Sequence, residues 1–427
     1  MNKIISVAII GCGGRGLGAF GRPMQTRFHD KFHVCALCDI SAARLENAGK
    51  ELGVEEGACF TDENAFFAQK RAELLIIATQ DRDHARHILK GLSLGYDILV
   101  EKPLSSSREE CLSLLEAQKQ SGRGVFVCHE LRYAPAFRKA DEILLSGELG
   151  RLISIAAVEK PWYGHFVHSY VRGSWRRSED SSPVILAKSS HDLDLLQYYA
   201  RARCETIAST GALSWFKAEN APEGAADRCT DCRYVDSCPY SAKRLYVDRM
   251  KNRPDYVFST IICRPDKPTP ERVMQAIRTG PYGRCVYRCD NDVCDNQQCL
   301  MRFENGVTAT FEMNAFTGNG GREMTFHCSL GELILSEVDD VMCIKKFGRE
   351  EHEKFSLSSL VNAPGGHGGG DDALILSLHG ALTGKEKSAT SLESSVESHL
   401  MGIAAEESRL RGGEMMYVHG RANPTES

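Results

Sequence analysis

The sequence predicts an α/β protein in two parts: a doubly wound parallel sheet over residues 1–128, then an α+β domain with an open, mainly antiparallel sheet over 129–427. Three observations predict it. Short apolar runs alternate with segments of helical spacing in the first part, a glycine-rich turn follows the first of those runs, and the pattern changes to longer strands after Gly147. At 427 residues the chain also exceeds what one hydrophobic core usually supports, so two domains are expected.

The first run, Ile-Ile-Ser-Val-Ala-Ile-Ile at 4–10, has the near-continuous apolar character of a parallel strand buried on both faces. Similar runs recur at 33–38, 74–79, 97–100 and 125–128, and helical spacing at 41–52, 83–94 and 107–121 separates them, giving the βαβ alternation of a doubly wound sheet. Residues 135–146 read as a helix ending at Gly147, and Met301 to Phe311 as a hairpin turning at Asn305-Gly306. Loops rich in turn formers occupy 218–240 and Gly365–Gly370.

Composition excludes several function classes. A formal charge of -5, from 52 basic and 57 acidic residues spread along the chain, provides no field for nucleic acid or an anionic membrane. No apolar run is long enough to span a bilayer, and Met1-Asn2-Lys3 leads straight into a strand, so a cytoplasmic protein with a small-molecule partner is expected. Seventeen cysteines, an odd number without a secretion signal, read as reduced thiols.

Gly11-Cys12-Gly13-Gly14-Arg15-Gly16 matches G-x-G-x-x-G directly after the first strand. Glycines there permit a tight turn and bring backbone N–H groups close to a pyrophosphate at a helix N-terminus, the Rossmann arrangement. Asp39 ends the next strand, 28 residues after Gly11, where a carboxylate accepts from the ribose hydroxyls and repels a 2′-phosphate. NAD is therefore expected over NADP, unless Arg44 reaches a 2′-phosphate.

Two further motifs close parallel strands, where ligands bind in such sheets: Thr79-Gln80-Asp81-Arg82-Asp83-His84, and Glu101-Lys102-Pro103. With the latter tripeptide the chain resembles the Gfo/Idh/MocA oxidoreductases, glucose–fructose oxidoreductase and inositol dehydrogenase among them. Arg132-Tyr133-Ala134-Pro135, Gly147-Glu148-Leu149-Gly150 and His191-Asp192-Leu193-Asp194 resemble further family segments. The resemblance implies that Lys102 and His191 face the nicotinamide and a substrate carbinol. It also implies a homo-oligomer, because the family's open sheets pair face to face. Alcohol oxidation needs hydride departure and removal of the hydroxyl proton, so Lys102 is expected to orient and polarise the oxygen while His191 exchanges the proton. Many family members carry an aspartate four residues before the histidine, but Ala187 stands there. Lys188 beside it either enters the site as a second cation, depressing the Lys102 pKa, or faces solvent.

Around the cofactor the expected residues are Gly11, Gly13, Gly14, Arg15, Gly16, Asp39, Thr79, Gln80, His84, Glu101, Lys102, Trp175 and Arg176. For a polyol, the crowd of His165, His168, Tyr170 and Arg172, together with Tyr133, Asp194 and His367, offers stacking planes and hydroxyl-directed donors. Gly366-His367-Gly368-Gly369-Gly370-Asp371 resembles a motif of one family branch and of NAD-dependent glycosidases. Cys229, Cys232 and Cys238 give C-x2-C-x5-C in a polar loop. With a distant fourth thiolate, Cys285 in first place or else Cys289 or Cys263, they form a candidate structural zinc site, an iron–sulfur cluster being the lesser alternative and free thiols the simplest one.

These readings converge on an NAD-dependent oxidoreductase acting on a hydroxyl of a sugar, sugar derivative or cyclitol. The alternatives are an NAD-dependent glycosidase working by transient oxidation, elimination and re-reduction, and a non-enzymatic sugar or dinucleotide sensor.

Overall fold

Apolar strands that alternate with helices can bury both their faces only inside a sheet covered on two sides, and the first part of the chain does this. The computed structural model describes residues 3–254, 256–264, 266–361 and 366–420; Met1, Asn2 and Gly365 lie outside them. Strands β1 (Ile5–Ile10), β2 (Phe32–Cys38), β3 (Cys59–Phe60), β4 (Leu74–Ile77), β5 (Asp97–Val100) and β6 (Val125–Val127) form one parallel sheet in the order β3-β2-β1-β4-β5-β6. Successive residues of β1 point to opposite faces: Val7 and Ile9 enter one core, Ala8 and Ile10 the other. The order runs outward from β1 in both directions, so the crevice between β1 and β4 is the switch point where ligands bind in such sheets. The short β3 had no counterpart in the sequence pattern.

The second sheet holds β7 (Leu152–Lys160), β8 (Cys204–Ala212), β9 (Asn296–Phe303), β10 (Thr308–Asn314), β11 (Gly321–Cys328), β12 (Gly331–Ser336), β13 (Val341–Lys346), β14 (Glu353–Phe355) and β15 (Met416–Tyr417). Their order is β14-β13-β12-β11-β7-β10-β9-β8-β15, antiparallel throughout except between β7 and β10. The hairpin at Asn305-Gly306 forms as its alternation predicts, closed by Phe303 N donating to Val307 O at 2.8 Å. Residues 218–240 stay a loop, with single helical turns at Ala218–Asn220 and Cys229–Asp231.

Two late helices tie the sheets together. Helix Gly370–Leu382 returns to the first sheet, where Leu374, Ile375 and Leu378 join the core formed by β1, β2 and the helix after the glycine turn. Helix Leu392–Leu410 lies buried along most of its length, and its His399 Nε2 accepts from the backbone N of Leu104 at 2.8 Å. The loop after β5 is thereby fixed from the far end of the chain. Among the described residues no helix is long and apolar enough to cross a membrane.

Because Ile375 is fully buried in the nucleotide-side core, Ile375→Ala should cost about 2–5 kcal/mol of stability. Urea unfolding followed by tryptophan fluorescence measures this, and an unchanged midpoint would show that the returning helix contributes nothing to that core.

Candidate active site

The cofactor cradle starts where β1 ends. Gly11 turns with φ +94°, and a Cβ there would collide with the Ala78 carbonyl, just as one at Gly16 would collide with the carbonyl of Gly11. Only glycine lets the turn and the following helical segment, Gly14–Gly21 running into Arg22–Thr26, come this close to β1 and β4. At Gly13, by contrast, a side chain would meet nothing within 4 Å, so its backbone borders open space. Arg264, from the second domain, lies against Gly14. Burial lowers its pKa, with Arg22 and Arg44 adding repulsion. An open backbone with the Arg264 guanidinium against it fits the pyrophosphate of a dinucleotide. Arg264 was missed by sequence reasoning, since no motif marks a single arginine so distant in the chain.

Asp39 is buried at the tip of β2. Its Oδ2 accepts from Cys12 N at 2.8 Å, and its Oδ1 accepts from Ser41 N at 2.8 Å and Arg44 Nη2 at 2.9 Å. The carboxylate thus stands beside the glycine turn, and Arg44 is held by Asp39 itself.

Lys102 follows β5, half-buried, with its Nζ donating to Ala187 O at 2.6 Å. Burial holds its pKa below the ordinary lysine value; Glu101 opposes this and Lys188 adds to it. Of the two alternatives for Lys188, the structure has it turned inward: its Nζ lies 2.6 Å from Glu159 Oε1, and Arg322 bridges Glu159 at 2.9 Å and Asp192 at 2.7 Å. Burial alone would raise Glu159, but Arg322 and Lys188 outweigh it and keep the carboxylate ionised. The carboxylate missing at Ala187 is therefore matched by one from β7, aimed at Lys188. Glu159 and Arg322 carry no motif of their own.

His191 opens helix Ser190–Ala200. Its Nε2 lies 3.8 Å from Glu130 Oε2, and its Nδ1 is buried without a hydrogen-bond partner. Burial, then Lys102 and His129, drive its pKa well below the usual value, so the imidazole is neutral. Arg15 spans the seam: its Nε pairs with Glu101 at 2.5 Å, and its Nη2 pairs with Glu130 and, at 3.0 Å, with Asp371. Asp371 in turn meets His367 Nδ1 at 3.2 Å, and the His367 ring lies 5.9 Å from that of His191. Glu130, His191 and His367 bring ligand atoms within 4.8 Å of one another, as do Glu101, Cys128 and Glu130. Arg15 already supplies the positive charge that these carboxylates need.

Beside Lys188 a cavity of about 560 Å³ opens between Glu159, Trp162, His165, Arg249, Tyr256 and Arg322. His165 is held neutral, pushed down to about 3 by burial and Lys188. Several residues expected to meet substrate are engaged elsewhere. Asp194 is clamped by Arg132 at 2.6 and 2.7 Å, and Tyr133 hydrogen-bonds Thr390 Oγ1 at 3.0 Å. His168 stacks between Phe258 and Tyr282, with ring centroids 4.3 and 4.6 Å away. Arg172 points into the cysteine loop, bonding Arg284 O at 2.7 Å and Tyr240 O at 2.8 Å. Tyr170 is buried between the Phe166 and Trp175 rings. Each fills hydrogen-bonding or stacking needs that burial creates, which residue type alone does not reveal. On the cofactor side, His84 links Pro103 O at 2.6 Å to Thr79 O at 3.2 Å, joining the two strand-end loops. Gln80 is exposed beside them. Trp175 Nε1 donates to Asp81 at 3.0 Å, and Arg176 pairs with Asp290 at 2.8 Å.

Residues 5–129 match the oxidoreductase family with an NAD-binding Rossmann fold, GFO_IDH_MocA. The chain is 24% identical to the putative oxidoreductase YteT of Bacillus subtilis, over 87% of this chain and 88% of that protein. It is 24% identical to 2,7-anhydro-N-acetylneuraminate hydratase of Escherichia coli, over 48% of this chain and 53% of that one. Among solved structures, a levoglucosan dehydrogenase in complex with NADH superposes with a TM-score of 0.71 at 15% identity, covering 98% of this chain and 100% of that chain. That likeness concerns the fold.

Removing the Asp39 carboxylate frees Arg44, and the sequence expectation is that it also ends repulsion of a 2′-phosphate. Asp39→Ala should lower the NAD:NADP ratio of kcat/KM by about tenfold or more, the scale of one charged hydrogen bond. An unchanged ratio would remove Asp39 from cofactor selection.

Proposed function

Since this chain belongs to the Gfo/Idh/MocA oxidoreductases, whose N-terminal domain is an NAD-binding Rossmann fold, we propose that it oxidises a hydroxyl-bearing carbon of a sugar-like substrate, with NAD preferred over NADP. The observation that carries the reading is a half-buried lysine of lowered pKa, Lys102, near enough to the buried, neutral His191 to hold its pKa down, and beside Lys188, which lines a polar cavity.

When bound, the nicotinamide supplies the hydride acceptor. The chain's own residues orient the substrate and take the proton. Lys102 in its amine form keeps one N–H on Ala187 O and offers its lone pair to the substrate hydroxyl. As the C–H hydrogen departs with its electron pair, the O–H proton passes to Lys102, and the ketone remains. His191 resists protonation more strongly than its ordinary value implies, so it holds and orients the hydroxyl. The electrostatics thus favour Lys102 over His191 as proton acceptor, the reverse of the division of labour expected from sequence. In the cavity, Trp162 and Tyr256 offer stacking faces to a sugar ring. Arg249 lies 4.1 Å over the Trp162 ring, in a wall that favours a substrate bearing an acidic group.

A second reading, redox-neutral cleavage or hydration of a C–O bond through transient oxidation, is favoured by His367. This half-exposed imidazole beside His191 could serve a leaving oxygen, a task simple dehydrogenation lacks. The hydratase among the relatives supports the same class.

Lys102→Ala should lower kcat by about 10²–10⁴-fold with little change in dinucleotide affinity by calorimetry. Oxidation requires the amine, so wild-type kcat/KM should rise with pH and level off above a pKa lying below 10.5. Loss of that limb in the variant checks the assignment; equal turnover overturns it. Stoichiometric NADH on a panel of neutral and acidic sugars indicates net oxidation, whereas product without NADH indicates the redox-neutral reading.

A further inference from the structure

The cysteine loop plays no part in the reaction, yet it is organised around one small void. Cys229, Cys232 and Cys238 from the loop and Cys285 from the later segment line the same cavity, together with Arg172 and Tyr240. The cavity measures about 20 Å³, room for one water-sized sphere. Backbone pairing brings the two segments side by side: Cys285 N donates to Asp227 O at 2.8 Å, and Arg228 bridges to Arg284. All four thiols are free of disulfides.

An independent observation concerns charge. Arg172 is 0% exposed, yet the groups it meets are Arg284 O, Tyr240 O and, at 3.3 Å, Cys229 Sγ. Its electrostatic neighbours are the Cys229 and Cys289 thiols and the Tyr246 phenol, which also lies in hydrogen-bonding contact with it, with no carboxylate among them, and its Nη1 is buried without an acceptor in full bonding geometry. A fully buried guanidinium requires an anion. Backbone carbonyls and a phenol do not supply one.

We propose that Cys229, Cys232, Cys238 and Cys285 hold one Zn²⁺ as a tetrathiolate, and that Arg172 is its buried countercharge. Four thiols lose four protons as the ion binds, and the resulting complex carries two negative charges, one of them offset by Arg172. No electron changes hands. No three of these sulfur atoms lie mutually within 4.8 Å, so ligation at Zn–S distances of about 2.3 Å requires the side chains to rotate toward the void. A hole of one-ion size suits a single Zn²⁺ and not a multi-atom iron–sulfur cluster. With four thiolates the ion has no open position for substrate, so its role is to fix a loop poor in large apolar groups and to tie residues 229–238 to residue 285.

The test uses the full-length protein purified without chelator. Elemental analysis should find about one zinc per chain, and a mercurial titration should release it in step with modification of four thiols. Cobalt exchanged into the site should show the visible absorption of tetrahedral tetrathiolate coordination, a readout independent of catalysis. The double variant C229S/C238S should contain no zinc; should it fail to fold, the cobalt spectrum and release stoichiometry of the wild type still decide. Metal at background with four freely alkylated native thiols overturns the proposal. Stoichiometric iron with sulfide overturns it, as does zinc that persists in C229S/C238S and is lost in Glu130→Gln.

Discussion

Everything at this protein's centre depends on keeping ionised groups out of water where two sheets meet. Effective penalties of several kcal/mol attend each buried ion, and the seam contains Arg15, Glu101, Lys102, Glu130, Glu159, Lys188, Asp192, Arg322 and Asp371. The solution is alternation of sign. Arg15 sits among three carboxylates, while Glu159 sits between Lys188 and Arg322. Lys102 is the exception, with a backbone carbonyl as its hydrogen-bond partner. A cation left without a dedicated carboxylate is one whose proton is easily lost, which suits a group meant to exchange one.

The first sheet was legible because its physics is local. A strand buried on both faces must be apolar along its length, and a dinucleotide turn must be glycine where Cβ atoms would strike Ala78 and Gly11. The helix at 135–146 and the hairpin at Asn305-Gly306 were legible for similar reasons. The return of Gly370–Leu382 to the nucleotide-side core was not. Leu374, Ile375 and Leu378 identify an apolar helix face without identifying what it covers. β3, with two residues, was too short to leave a period.

The site was legible in proportion to how far motif and role coincide. Lys102, Glu101, Asp39 and the glycines occur in contiguous patterns whose chemistry needs those residue types. Arg264, Glu159 and Arg322 do not, because they are assembled by tertiary contact alone. The converse error came from reading polar residues by type. Arg172, His168 and Asp194 look like ligands for a polyol, but each lies at most 4% exposed and is turned onto protein partners. A buried polar side chain must first satisfy itself, so a crowd of donors in sequence is weak evidence for a binding surface.

The two halves of the site share more than an edge. Glu130 accepts from Arg15, which follows the glycine turn, and it faces His191 of the substrate side at 3.8 Å. Asp371 joins the same arginine to His367. The field at His191 is consequently set from both halves of the site: by its own burial and Lys102, and by an Arg15 that shares its charge among Glu101, Glu130 and Asp371.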